Sequence, residues 1–167
     1  MIIRFKIGHI RITFTIARVT EVVGVNSTLP DGNHILMWDF DDTKLQTVAD
    51  ELTRVQIIYQ LPKIYILETK VNTNYIAYCF KKCTWRKAVE IIASTKGVDS
   101  NYFKYGVYRG KFTLRVTPKS GRDMQLVATL FSSRPEDAYI TDLKNWVKYE
   151  TLADGETVKI WDINNKS

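Results

Sequence analysis

The chain has 167 residues, 45% of them apolar and 25% charged, a length and composition that suit one packed core and exclude disorder as the default state. Its net charge of +6 favours an acidic partner such as nucleic acid. Two cysteines, Cys79 and Cys83, exclude a disulfide scaffold. With His9 and His34 far off in sequence, they do not make a zinc pattern either.

The chain begins Met1-Ile2-Ile3-Arg4-Phe5-Lys6, alternating apolar with basic residues and forming no signal-peptide core. No apolar run approaches the roughly 18 residues needed to cross a bilayer. The expectation is one domain over 1–167, off the membrane and cytoplasmic. Residues 2–7 and 10–18 alternate in period two around Gly8-His9, predicting a β-hairpin with His9 in its turn. A loop rich in turn formers spans 26–33. His34 reads as a solvent-facing loop residue, and Ile35-Leu36-Met37-Trp38 as a buried strand. Residues 43–61 predict a helix with Leu45, Val48, Ala49, Leu52 and Val55 on one face, a Thr43–Gln46 capping box, and Pro62 as its stop. Two strands follow, 64–69 and 75–80, joined by a tight polar turn. A second helix covers 85–96, with Thr84 as N-cap and Gly97 as terminator. Residues 112–117 and 125–131 predict strands, and Ser133 with Glu136 brackets a short helix over 136–146. A last hairpin turns at Ala153-Asp154-Gly155-Glu156. From 35 to 117 the order is β-α-β-β-α-β. This is the α+β, split βαβ pattern of RNA-recognition-like sheets, with helices on one face, the other face open, and extra hairpins at both termini.

Asp39-Phe40-Asp41 closes the apolar strand. Period two puts Asp39 and Asp41 on one face, close enough to share a divalent metal, as phosphoryl transfer requires. A solvated turn is the ordinary alternative. Asp39-Phe40-Asp41-Asp42-Thr43 also fits the DxDxT nucleophile motif of haloacid-dehalogenase-like phosphatases. That family builds a parallel sheet, whereas the short turn between 64–69 and 75–80 leaves no room for a helical crossover. Asp137 and Asp142 lie in a polar, helical context, so no later acidic pair ends an apolar run.

Over roughly 35–120 the chain resembles the catalytic core of the archaeo-eukaryotic primase (primase-polymerase) superfamily. That core carries a DxD after its first strand, a small-x-His on a middle strand, and a further Asp after its second helix. The first looks like Asp39-Phe40-Asp41 and the third like Val98-Asp99. The second aligns with Asn74-Tyr75-Ile76, where Ile76 stands in place of the phosphate-contacting histidine. The resemblance implies that Asp39, Asp41 and Asp99 bind Mg²⁺ or Mn²⁺ and catalyse attack of a 3′-hydroxyl on an α-phosphate. Its partners would be nucleoside triphosphates and single-stranded nucleic acid, with a helicase as a separate protein. The setting would be replication of a virus or mobile element. A catalytically silent single-strand-binding accessory on the same fold is the alternative that Ile76 favours; a small Mg²⁺-dependent phosphatase is the third reading.

Along 112–117 the alternation turns Phe112, Leu114 and Val116 inward and brings Arg115 out near Asp39 and Asp41. There it is either an ion-pair partner or, with Lys119, a triphosphate clamp. Arg109, Lys111 and Arg122 interleave with Tyr105 and Tyr108, the mixture that single-strand channels use for stacking and charge neutralisation.

Overall fold

The computed structural model describes residues 2–15, 19–118, 123–152 and 160–162. The chain divides into two compact units, Met1–Val22 with Tyr149–Ser167, and Val23–Lys148. It is α+β. Among the described residues, no helix is long and apolar enough to cross a membrane.

In the first unit β1 (Ile2–Ile7) and β2 (Ile10–Thr15) form the expected antiparallel hairpin, turning where Gly8 takes a φ of +58°. Among the described residues, the two strands expected to form the C-terminal hairpin lie in different sheets. β9 (Trp146–Leu152) belongs to a sheet with β3 (Val19–Asn26) and β7 (Thr113–Arg115), whereas β10 (Ile160–Asp162) lies parallel to β1. A two-stranded ribbon leaves an edge of unpaired backbone groups, and β10 takes the one on β1. The expected turn at 153–156 lies outside the described residues.

The second unit is built on an antiparallel sheet of β4 (His34–Phe40), β5 (Ile64–Lys70), β6 (Asn74–Cys83) and β8 (Gln125–Leu130), in the order β4-β6-β5-β8. Strands β4, β5 and β6 keep the split βαβ arrangement, and the turn that joins β5 to β6 places Asn72 at a φ of +57°. The fourth strand departs from it. β7 pairs with β3, Leu114 opposite Val25, and not with β4. The reason lies at the free edge of β4. A third helix, α3 (Ser100–Arg109), follows α2 (Trp85–Ala93), and its N-terminal end takes the edge carbonyls. The Asp99 N–H donates to the Asp39 carbonyl at 2.9 Å, and the Tyr102 hydroxyl to that of Met37 at 2.8 Å. A paired fourth strand would need those same acceptors.

α1 (Leu45–Tyr59) is shorter than the sequence suggests. Its N-cap is Lys44, without a side-chain cap, because the Gln46 amide donates instead to Asp50 Oδ1 at 2.7 Å. Gln60, left-handed at a φ of +51°, ends it before Pro62. α2 is capped as expected, the Thr84 hydroxyl accepting from the Lys87 N–H at 3.3 Å. The predicted helix over 136–146 is a single 3₁₀ turn at Ile140–Asp142. Glu136, expected in its capping box, and Asp137 beside it anchor the segment to the sheet instead. Glu136 Oε2 lies 3.3 Å from the Tyr65 hydroxyl and 3.6 Å from Lys63, and Asp137 pairs with Lys81 at 2.6 Å.

Trp38, Ile64, Ile66, Leu52 and Ile92 are fully buried in the core, and the Trp38 indole N–H donates to the Thr95 hydroxyl at 3.0 Å. The second sheet face is partly covered, with Leu126 of β8 left exposed. Strand pleating turns Tyr65, Leu67, Tyr78 and Phe80 to that side, where the 136–146 segment and residues from β3 and beyond β7 close around them.

His34 is buried at the start of β4, not solvent-facing, with its Nδ1 2.9 Å from the Ser27 hydroxyl and its ring 4.9 Å from that of Trp85. Burial lowers its pKa. An unfolded imidazole, with a pKa of about 6.5, then gains its proton before the folded one does. Stability is therefore expected to fall as pH drops through about 6.5, levelling below the depressed folded value. Urea midpoints between pH 7.5 and pH 5 check this. His34→Gln should flatten part of the slope.

Candidate functional site

The site begins where β4 leaves the core. Trp38 and Phe40 point to the helices, so Asp39 faces the opposite side, directly across the strand pair from Ile76. Asp99 reaches the same place by a different route. Gly97, at a φ of +79°, turns the chain after α2, and Asp99 caps α3, its Oδ1 accepting from the Tyr102 N–H at 2.6 Å. The backbone bond from Asp99 to Asp39 fixes the two residues as neighbours.

Both carboxylates line a pocket of about 180 Å³, whose remaining wall comes from α3 and the start of β7. Arg109 and Lys111 supply cations, Tyr102 and Tyr105 supply rings, and Gly106 and Thr113 complete it. The Arg109 guanidinium lies 5.6 Å from the centre of the Tyr105 ring, and Tyr105 is exposed. Burial, with the charge of Asp39 adding to it, pushes the phenols of Tyr78 and Tyr102 well up, so both stay neutral donors. The pocket thus sets two hard-oxygen acceptors against two cations with an aromatic surface beside them. That set suits a phosphate-bearing, ring-containing ligand.

Other expected site residues fall elsewhere. Asp41 does not line the pocket, because β4 ends at Phe40 and strand periodicity ends with it; its carboxylate accepts from the Asn74 side-chain amide. Among the described residues, no group of three or more His, Cys, Asp or Glu side chains is gathered to hold a metal. Arg115 does not line the pocket either. Its guanidinium donates to the carbonyls of Thr117 at 3.1 Å and Pro118 at 2.7 Å, stapling its own chain. Tyr108 stands on α3 almost fully exposed. Lys119 and Arg122 lie outside the described residues.

Sequence reasoning missed Gly106 and Thr113, and it assigned Arg109 and Lys111 to a nucleic-acid track rather than to the acidic pocket. A readable signal was present. Asp99 and Gly110 stand at the N-cap and just past the end of a ten-residue helix.

Asp99 serves two purposes, and substitution separates them. Asp99→Ala is expected to lower stability by about 1 kcal/mol through loss of the cap, and Asp99→Asn by only a few tenths. Both should lose whatever the carboxylate charge contributes to ligand binding. Chemical denaturation beside ligand titration reads the two effects separately.

Compared with known protein families, curated proteins and solved structures, the chain matches none.

Proposed function

We propose that this chain is a nucleotidyltransferase of the primase-polymerase type, acting on single-stranded nucleic acid in the replication of a virus or mobile element. It would take a nucleoside triphosphate in the Asp39–Asp99 pocket. The observation that carries the reading is the convergence of Asp39 and Asp99, distant in sequence, on one pocket that also holds Arg109 and Lys111. A divalent Mg²⁺ or Mn²⁺, held by Asp39 and Asp99, would supply charge neutralisation at the phosphates. The carboxylates fit such an ion in donor type. Arg109 and Lys111 would hold the phosphate oxygens, the role expected of Arg115 and Lys119, and Tyr105 would offer a stacking surface for a base.

A second reading rests on its own observation. Ile76 stands directly opposite Asp39, at the position the primase resemblance gives to a histidine, and an isoleucine side chain donates no hydrogen bond. That favours a catalytically silent single-strand-binding accessory using the same surface. The phosphatase reading loses its footing, since β4, β5 and β6 pair antiparallel where it needs a parallel sheet.

The test pairs a binding measurement with an activity measurement. In Mn²⁺, the full chain should bind ATP, and Arg109→Ala/Lys111→Ala should weaken that binding at least ~10-fold, the loss of two charge-assisted contacts. Labelled-nucleotide incorporation on a primed oligonucleotide marks the enzyme. Oligonucleotide binding without incorporation, falling with salt at about −0.7 in log K per phosphate contact, marks the accessory. Failure to bind either ligand defeats both.

A further inference from the structure

The outer face of α3 continues from the Asp39–Asp99 pocket. The helix is held from beneath, where Gly106 sits over the Phe112 ring and Tyr102 and Phe103 stack on that ring at 5.3 Å and 6.2 Å. Its other side meets solvent. Tyr105 is 60% exposed and Tyr108 is 88% exposed, and Lys104 and Arg109 are exposed beside them. Lys104 and Tyr108, four residues apart, share one side of the helix, and neither lines the pocket.

Two properties of this face name the partner it suits. The first is charge. Between Asp99 and Asp123 the sequence holds no acidic residue, while Lys104, Arg109 and Lys111 stand along α3 and just past its end. A basic strip of this kind attracts a polyanion. The second is the pair of tyrosines. Residues three apart on a helix are surface neighbours, displaced by about 4.5 Å along the axis, so adjacent bases of one strand can each take a ring. An acidic polypeptide would answer the charge but brings no flat rings to stack. A duplex keeps its base faces covered, whereas a single strand offers them.

We infer that the outer face of α3 seats a single nucleic-acid strand beside the pocket, the base next to the one on Tyr105 stacking on Tyr108 and a strand phosphate meeting Lys104. The inference rests on the nucleotide reading of the pocket, because it takes the strand to end where Tyr105 offers its ring. Lys104 and Tyr108 belong to the strand surface alone.

Fluorescence anisotropy of the full chain with labelled oligo(dT) of about 12 nucleotides, within the usual single-strand site size, tests it. Tyr108→Ala should weaken binding at least ~5-fold, the loss of one base stack, and Tyr108→Phe, which keeps the ring, should restore it. Lys104→Ala should make log K fall less steeply with log salt, by about 0.7 in slope for one phosphate contact. Both side chains are exposed, so circular dichroism should show every variant folded. An oligo(U) arm tells RNA from DNA, and Tyr108-dependent binding of either strand supports the assignment. Strand affinity unchanged in Tyr108→Ala, or a polyglutamate peptide bound as tightly as the oligonucleotides, would overturn it. ATP titration in Mn²⁺, run beside these, should not distinguish Tyr108→Ala or Lys104→Ala from the parent. If ATP binds and neither strand does, this inference fails and the pocket reading stands. If a strand binds through Tyr108 and ATP does not, the pocket reading fails and the strand surface remains.

Discussion

Gly106→Ala is expected to destabilise the second unit by about 2 kcal/mol, although alanine in a helix interior ordinarily gains up to about 1 kcal/mol over glycine. A Cβ at this position would sit within 2.5 Å of Phe112 Cε1 and closer still to Cδ1. The ring has nowhere to go. Phe112 is fully buried, with the rings of Trp85 at 5.0 Å and Tyr102 at 5.3 Å and Phe103 stacked beyond. Overpacking in such a setting costs roughly 1–3 kcal/mol and here outweighs the propensity gain. For a chain of this length, thermal melting should fall by about 4–8 °C. Because Gly106 lines the Asp39–Asp99 pocket, ligand affinity should fall with it. A variant as stable as the parent would mean that α3 does not rest on Phe112.

Asp39→Asn is expected to cost on the order of 100-fold in Mn²⁺-dependent ATP affinity, about 2.7 kcal/mol, with little change in stability. The amide keeps the shape and remains partly exposed, but it removes one of the two carboxylate charges in the pocket. Asp41→Asn is the internal comparison. Asp41 lies outside the pocket and contacts Asn74, so its loss should weaken ATP binding far less. Equal losses from the two variants would return the site to the acidic pair that strand periodicity suggests.

The parts of the fold legible in the sequence are those where local pattern and tertiary context agree. The apolar run before Asp39, the turn between β5 and β6, and the Thr84 cap of α2 all form as their residue types dictate. Where two contexts accept the same pattern, sequence alone could not choose. The alternation of Thr113–Arg115 suits an edge beside β4 as well as one beside β3. Edge carbonyls already taken by Asp99 and Tyr102 decided the matter. α3 was hidden because aromatic residues and Gly106 weaken its helical signature, and that glycine is there for Phe112 to pack against. Glu136 reads as a helix-capping acid and Asp137 as part of a polar helix, yet both act as anchors to Tyr65, Lys63 and Lys81, partners that only the folded sheet supplies. The candidate site follows the same division. Asp39 and Asp99 were legible because motif and topology both lead to them. Arg115 was misplaced because its direction was inferred from a strand pairing that does not occur.

The most direct measurement is a crystal structure of the full chain with Mn²⁺ and a non-hydrolysable nucleoside triphosphate analogue, collected for anomalous scattering from manganese. The account predicts an anomalous peak within coordination distance of the Asp39 and Asp99 carboxylates, with phosphate oxygens against Arg109 and Lys111. Manganese and nucleotide bound elsewhere, or no anomalous peak at this pocket at saturating concentrations, would contradict it.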